Sequence, residues 1–279
     1  MAKVSILLAV FLAGAASAAG PVDANDIVRR SIAAEIENAK RARNYTFIQR
    51  DEEREFDESG KVKSTESKTY DVTMLEGSAY RRLIARDDHP LPPKEVKKED
   101  EKLNKSIVER RHESKSQREK RLSDYDDRPG RNRSMLKEVS EAFDFRLLRE
   151  ETVGSRPVYV VEGTPRPDYH GRNAEARLLL PKLKLTAWID KRDLSWTRVH
   201  AEVINDVAWG LCLFKLAKGA QLDMEQVHIN DEVWFPRVLR MKGSARVVIK
   251  RVNIEQELTF KDFRRFQSDS QIISTSEVR

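Results

Sequence analysis

The side chains that could carry acid–base or metal chemistry are few and widely spaced in this sequence. None of the five histidines has a histidine or cysteine two to four residues away, which is the spacing typical of zinc sites. His200 and His228 fall on neighbouring predicted strands. Carboxylates accompany them, namely Glu202, Asp223 and Asp231. A paired acid–base site is one interpretation; polar residues on the exposed side of a sheet are the other and more common one.

Short catalytic motifs are absent from the sequence. It contains no Gly-x-Ser-x-Gly nucleophile turn, no phosphate-binding P-loop and no Gly-x-Gly-x-x-Gly dinucleotide motif. Asp168 and His170 lie in a predicted loop, but nothing near them specifies a role. We therefore predict no catalytic residue, no metal ligand and no cofactor. A hydrolase that uses His200 or His228 is the enzyme alternative.

The first eighteen residues have the pattern of a secretory signal peptide. Lys3 precedes an apolar run over 4–12, and small residues end the segment at Ala18. The run is too short to span a bilayer of about 30 Å as a permanent helix. We expect cleavage after Ala18 and an exported protein. The next residue, Ala19, is not a cysteine, so we expect no lipid anchor.

Composition limits the possible partners. The 279 residues carry a net charge of +6, and 35% of them are charged, but the two signs are interspersed. Mixed charges indicate a solvated surface, and export also argues against a nucleic-acid partner. Cys212 is the single cysteine, so no internal disulfide forms and the core must come from apolar burial. Cys212 is either a buried apolar residue or a reactive or dimer-forming thiol.

Three segments have helical patterns. Over 23–43, apolar residues recur on one side at helical spacing and the other side is charged, as in a helix that packs on a sheet. Residues 94–125 are highly charged without Gly or Pro, which predicts one long exposed helix. A linker over 126–133 and a short helix over 135–142 follow. The charged insertion 94–133 is either a solvated face or, through 94–125, a gate or a binding arm for an envelope protein.

Most of the remaining sequence predicts strands. Alternating polar and apolar residues, bounded by turn residues, indicate antiparallel hairpins. The predicted strands are 44–56, 61–75, 79–86, 145–152, 157–163, 184–190, 194–207, 220–229, 233–241, 245–260 and 262–266. A sheet of about 9–11 strands curls. The predicted fold class is therefore α+β, with an unclosed half-barrel of antiparallel strands and helices covering its concave apolar face.

The alternation also predicts which residues face the hollow of that sheet. On several predicted strands one side is apolar and the other polar. The four tryptophans lie in this half of the chain and are either cavity lining or core. The predicted ligand-cavity residues are Trp188, Val199, Ala201, Val203, Leu222, Met224, Phe235, Leu239, Met241, Val247 and Ile249.

Four stretches mark strands and turns. They are Ala-Arg-Asn-Tyr-Thr-Phe at 42–47, Tyr-Val-Val-Glu-Gly-Thr-Pro at 159–165, Ala-Trp-Ile-Asp at 187–190 and Asn-Asp-Glu-Val-Trp-Phe-Pro at 230–236. In these stretches the chain resembles the LolA/LolB-like superfamily of bacterial envelope proteins, near its lipoprotein-sorting relatives of unknown role. The resemblance covers nearly the whole mature chain, although the long charged insertion departs from it.

The resemblance implies a periplasmic carrier that binds acyl chains of lipid or lipoprotein without covalent chemistry. The family-like domain would span 19–266, followed by a flexible tail at 267–279. We expect a monomer. An envelope interaction or sensor module without bound lipid is the alternative function.

Overall fold

The computed structural model describes residues 23–209, 214–247 and 250–266. The predicted signal peptide with its cleavage site, Cys212, Ile249 and the predicted tail 267–279 lie outside these residues. The helices are α1 (Ala24–Ala42), α2 (Pro93–Arg111), α3 (Lys115–Ala142) and α4 (Ala174–Leu179), and a 3₁₀ turn follows at Leu180–Lys182.

Strands make up most of the described chain. They are β1 (Tyr45–Phe56), β2 (Val62–Leu75), β3 (Ser78–Arg86), β4 (His89–Pro90), β5 (Phe143–Val153), β6 (Arg156–Pro165), β7 (Leu183–Asp190), β8 (Trp196–Val203), β9 (Val207–Trp209), β10 (Phe214–Leu216), β11 (Gln221–Ile229), β12 (Val233–Val247) and β13 (Lys250–Arg265).

All described strands form one antiparallel sheet. Its order is β4-β3-β2-β1-β13-β12-β11-β8-β7-β6-β5, with β10 paired to β12 and β9 to β10. No pairing between described residues joins the edge strands β4 and β5, so the sheet is open. The predicted α+β class is confirmed. The strand number is 13 rather than 9–11 because β4, β9 and β10 are pairings of only two or three residues.

One row of residues across the sheet defines its two faces. Directly opposed residues in paired strands point to the same side. The row consists of Ala187, Val199, Met224, Leu239 and Leu258, on β7, β8, β11, β12 and β13. We call this side the inner face, because α1 packs on its β5–β7 part. The residues next to these in sequence point to the outer face.

Helix α1 forms where the sequence predicts it, over nearly all of 23–43. The carboxylate of Asp23 accepts the backbone N–H of Asn25 and caps the first turn. Ile27, Val28 and Ile32 are buried in one cluster with inner-face residues of β6 and β7. Burial of each such side chain contributes about 1.5–3 kcal/mol, so this apolar side fixes α1 on the sheet.

The prediction of one helix over 94–125, a linker over 126–133 and a short helix over 135–142 is wrong. The structure has a break after Arg111 and then a helix that runs from Lys115 to Ala142. The break occurs because Ser114 and Gln117 form a capping box, in which each side chain accepts the other's backbone N–H. The Pro- and Gly-containing stretch does not end this helix.

Asn38 joins α1 to the free edge of β12. Strand β12 pairs with β13 only from Val238 onward, so the preceding residues lack a partner strand on that side. The Asn38 side chain fills this place. Its oxygen accepts the backbone N–H of Trp234, and its nitrogen donates to the Trp234 carbonyl, both at 2.8 Å. Through Asn38 the helix thereby supplies hydrogen-bond partners to the backbone of β12 where β13 no longer pairs with it.

Replacing Asn38 with Ala should lower the free energy of unfolding by about 1–3 kcal/mol, because the N–H and C=O of Trp234 lose their partners in a buried place. Denaturant titration measures this loss. The matched control is Lys40→Ala on the exposed side of the same helix, which should change stability by less than about 0.5 kcal/mol. Equal effects of the two substitutions would contradict the role given to Asn38.

Candidate functional site

An apolar strip on the inner face remains open beside α1. We give the name open strip to five side chains, those of Leu222, Met224, Leu239, Met241 and Leu258. All five share the inner face by register. They are half-buried, and none belongs to the three buried hydrophobic clusters of the described chain. The middle of the sheet therefore presents an apolar surface that no described cluster fills.

Three further predicted cavity residues lie on the same face but nearer to the core. Val199 opposes Met224, and Ala201 opposes Leu222, so both border the open strip. Val203 is buried with Val207 and Ala220 in a small cluster. The register of β12 with β10 places Val247 in the inner-face row, but its side chain is not among those described.

Phe235 belongs to an aromatic cluster instead of the open strip. A β-bulge between Glu225 and Gln226 shifts the register of β11 against β12, and Phe235 and Leu239 lie on opposite sides of this shift. Its ring centroid lies 5.4 Å from that of Tyr45 and 6.1 Å from that of Phe47, and Phe235 is buried. This cluster covers the sheet at the place where α1 leads into β1.

Trp188 lies on the outer face, which corrects its assignment to the cavity. Ala187 and Ile189 point to the inner cluster, so the residue between them points away. The indole N–H of Trp188 donates to Glu151 at 2.6 Å, and the guanidinium of Arg198 lies 5.5 Å from its ring centroid. We expected the Trp188 ring to line the hollow of the sheet. Instead it forms a cation–π contact with Arg198 on the opposite side.

Helix α3 is held at its N-terminal half by the β2–β3 turn. Arg121 donates to the hydroxyl of Ser78 at 2.7 Å. The hydroxyl of Tyr125 lies 3.9 Å from the sulfur of Met74, which is on the inner face of β2. Leu122 packs close to Gly77, whose φ of 86° is one that Gly adopts without strain.

The other end of α3 is held by a buried carboxylate. Glu138 accepts the hydroxyl of Tyr169, the backbone N–H of Arg172 at 3.1 Å and the side-chain amide of Asn173 at 3.0 Å. Burial opposes the charge, but these donors hold the pKa of Glu138 below its ordinary value. Val139 and Ala142 are buried next to α1.

These two anchors place α3 across the inner side of the sheet. The β2–β3 turn lies at one end of the strands, whereas α3 leads into β5 at the other end and on the far side of the sheet. The 28 residues of α3 span about 42 Å. The open strip lies on the strands between the two anchors.

A buried glutamate lies where α1 meets β8 and β11. Glu35 is 9% exposed and accepts the backbone N–H of Trp196 at 2.8 Å and the side-chain amide of Gln226 at 3.4 Å. Burial raises the pKa of Glu35 to about 7, with a smaller contribution from the charge of Asp193. Trp196 also donates its indole N–H to Ser31 at 2.8 Å.

The two candidate histidines do not form a joint site. His200 lies 2.7 Å from Asp223 on the outer face. His228 stacks on Trp234, with centroids 4.8 Å apart, five residues further along β11 and thus about 17 Å away. No group of three potential metal ligands occurs among the described residues. His200 and His228 therefore do not form the paired acid–base site that was one interpretation of the sequence.

Glu35→Gln should make stability less dependent on pH. In the natural chain the native state keeps the Glu35 proton up to about pH 7, while the unfolded chain releases it near the ordinary value of 4.5. The native state binds more protons between these values, so the free energy of unfolding falls as the pH rises through them. The fall amounts to about 3 kcal/mol.

Denaturant titrations across this pH range measure the effect. The exposed Glu37→Gln on the same helix is the control and should keep the slope of the natural chain. Identical slopes in the Glu35→Gln and natural proteins would show that Glu35 ionises normally.

Comparison with known proteins gives structural likenesses only. No protein-family model and no curated protein match this chain. Similar solved structures include a domain from Vibrio parahaemolyticus described as an outer membrane lipoprotein-sorting protein domain. It is 14% identical at a TM-score of 0.35, over 88% of this chain and 95% of that one.

A LolA superfamily protein from Nitrosomonas europaea is also similar, with 11% identity and a TM-score of 0.33 over 88% of this chain and 94% of that one. The MucA/MucB complex structure from Pseudomonas aeruginosa matches at 10% identity and 0.24, over 88% and 100%. The family that the sequence resemblance names is thus among the similar structures. TM-scores this low do not bear on function, and the fold class rests on this chain's own strand pairings. Among the described residues, no helix is both long and apolar enough to cross a bilayer.

Proposed function

We propose that this chain is an exported carrier-like protein that binds the acyl chains of a lipid or lipoprotein, without covalent chemistry, on the open strip beneath α3. One observation carries the proposal: apolar side chains in the middle of a large open sheet remain half exposed, while a helix fixed at both ends passes over them. A contiguous apolar surface of this kind marks a binding site more often than a plain surface.

The composition of the open strip suits flexible chains. All five of its positions are leucine or methionine, and four of them lie on β11 and β12. Methionine side chains adapt to irregular apolar partners. Each methylene group transferred from water to such a surface contributes about 0.8 kcal/mol. Affinity would then depend on chain length and not on a reactive group.

At the level of Leu258 the inner face is polar beyond β13, which limits how an amphiphile can lie on it. Leu258 of β13 opposes Asp51 of β1, and Asp51 opposes Lys68 of β2. Arg81 of β3 pairs with Asp51 at 2.8 Å. An acyl chain on the open strip would therefore have its polar part towards β1–β3.

Export belongs to the same proposal. We propose that the N-terminal pattern directs export to the periplasm with cleavage after Ala18, and that the family-like domain of residues 19–266 acts there as a monomer. Acyl chains there need a protein carrier because water does not dissolve them.

An interaction module is the second candidate, and the exposure of α2 favours it. None of the nineteen residues of α2 is buried, and Val108 is 56% exposed. An envelope protein could therefore reach the arm 94–125. Val108→Glu would abolish capture of such a partner without lowering stability, whereas a lipid carrier would keep its acyl binding after this change.

Replacing Met224 and Met241 together with Gln should weaken binding of a fluorescent fatty-acid probe at least about tenfold. The two substitutions keep the side-chain volume but place amides in the acyl path, and a loss of 1.4 kcal/mol already amounts to tenfold. Fluorescence titration measures the dissociation constant.

The matched control changes Asp223 to Asn and Lys242 to Gln, which lie on the outer face of the same two strands. These outer changes should leave probe binding unaltered. A natural protein that ignores the probe, or equal losses in both double variants, would refute the proposed function.

A further inference from the structure

A cleft of about 370 Å³ lies between α2, α3 and the β2–β3 turn. Its lining includes Ser78, Ala79, Arg110, Lys120, Arg121 and Asp124. Three of these side chains are cationic and one is anionic. The cleft lies within the charged insertion, outside the open strip.

Two guanidinium groups meet inside this cleft. Arg110 of α2 and Arg121 of α3 each donate from Nη1 to the hydroxyl of Ser78, at 3.2 and 2.7 Å. Arg110 also donates from Nη1 to the carbonyls of Leu75 and Ser78, at 2.8 and 3.2 Å. Like charges this close repel each other unless an anion lies between or beside them.

Only one of the two guanidiniums has a carboxylate partner. Glu113 pairs with Arg121 in a two-point contact, with Nε–Oε1 and Nη2–Oε2 distances of 2.8 Å. Within the described part of the chain, Arg110 and Lys120 form no ion pair with a carboxylate. Burial, followed by the nearby charge of Arg121, lowers the pKa of Arg110. The cleft thus holds two cations whose charge no carboxylate of the described residues neutralises by contact.

The cleft opens towards the inner face. Ala79 opposes Met74 on the inner side of β2 and β3, and Tyr125, which also lines the cleft, touches Met74. Val72 of β2 and Phe47 of β1 continue this apolar path towards β13. Leu258, the nearest member of the open strip, lies three strand spacings across the sheet from the strand of Ala79 and six residues further along the strands, which together amount to about 24 Å. One bilayer leaflet with its headgroups is about 20–22 Å thick, so a phospholipid held in the cleft by its phosphate extends its acyl chain along this path to the near edge of the open strip.

We infer that this cleft binds a phosphate group, namely the headgroup phosphate of a lipid whose acyl chain extends towards the open strip. This inference rests on the proposed function. A tetrahedral phosphate would accept hydrogen bonds from Arg110 and Lys120 while the neutral hydroxyl of Ser78 remains beside it. Arginine is suited to this contact because its planar donors match phosphate oxygens.

The test compares three probes by calorimetric titration of the full mature chain: phosphatidylglycerol in monomeric short-chain form, a diacylglycerol of the same chains without phosphate, and inorganic phosphate. The main variant is Lys120→Gln, because the Lys120 side chain is exposed. The stronger variant combines it with Arg110→Gln. The control removes equal charge from the same two helices with Lys105→Gln and Lys115→Gln, which lie on exposed positions.

Lys120→Gln should weaken phosphatidylglycerol binding by about threefold and the Arg110/Lys120 pair by about tenfold. Diacylglycerol binding should not change, and the control pair should match the natural chain. Unchanged phosphatidylglycerol binding in both cleft variants would overturn the inference. So would an equal loss for diacylglycerol, which would show that the cleft only shapes the fold.

The two proposals can fail separately. If the natural chain binds inorganic phosphate in a Lys120-dependent way but neither lipid, the cleft takes free phosphate, and both the acyl site and the lipid headgroup are wrong. If both lipids bind equally well to every variant, the acyl site stands and the phosphate site is overturned.

Discussion

An open antiparallel sheet with one apolar side must have that side covered, and this requirement organises the rest of the molecule. The row from Ala187 to Leu258 gives five successive strands the same inner side. The apolar side of helix α1 covers the β5–β7 part, where Ile27, Val28 and Ile32 enter the core, and the helix meets β8, β11 and β12 only towards one end of these strands. The central strands are left to α3, which touches the sheet near its two ends. Partial cover is what leaves a surface available for a ligand.

Polar side chains on the sheet-facing side of α1 fix the position of this helix on the sheet. Ser31, Glu35 and Asn38 lie on the buried side of the helix, and each bonds to a tryptophan-bearing strand end. Apolar packing alone would let a helix slide along a sheet of similar side chains. Directed hydrogen bonds to Trp196 and Trp234 select one position, and they hold α1 towards one end of β8 and β12.

The sequence was sufficient for features that depend on local periodicity and insufficient for those that depend on distant partners. Alternation predicted the shared face of Val199, Met224 and Leu239, because that face follows from the strand period alone. The same rule would have placed Trp188 outside, had it outweighed the expectation for aromatic residues. The capping signal at Ser114 and Gln117 was present in the sequence and would have divided the predicted helix. By contrast, the roles of Glu35, Asn38 and the Arg110–Ser78 contact depend on residues from 32 to 196 positions away, which no local pattern reveals.

The two ends of α3 are anchored by contacts that differ in their exposure to water. At the β5 end, Glu138 is enclosed by three donors and excluded from water. At the β2–β3 end, arginine side chains reach a turn that solvent can enter. Dissolved ions screen the second kind of contact far more than the first. Detachment would thus begin at the arginine end and leave the glutamate end as a hinge, so the helix would swing from one fixed point and need not lift as a whole.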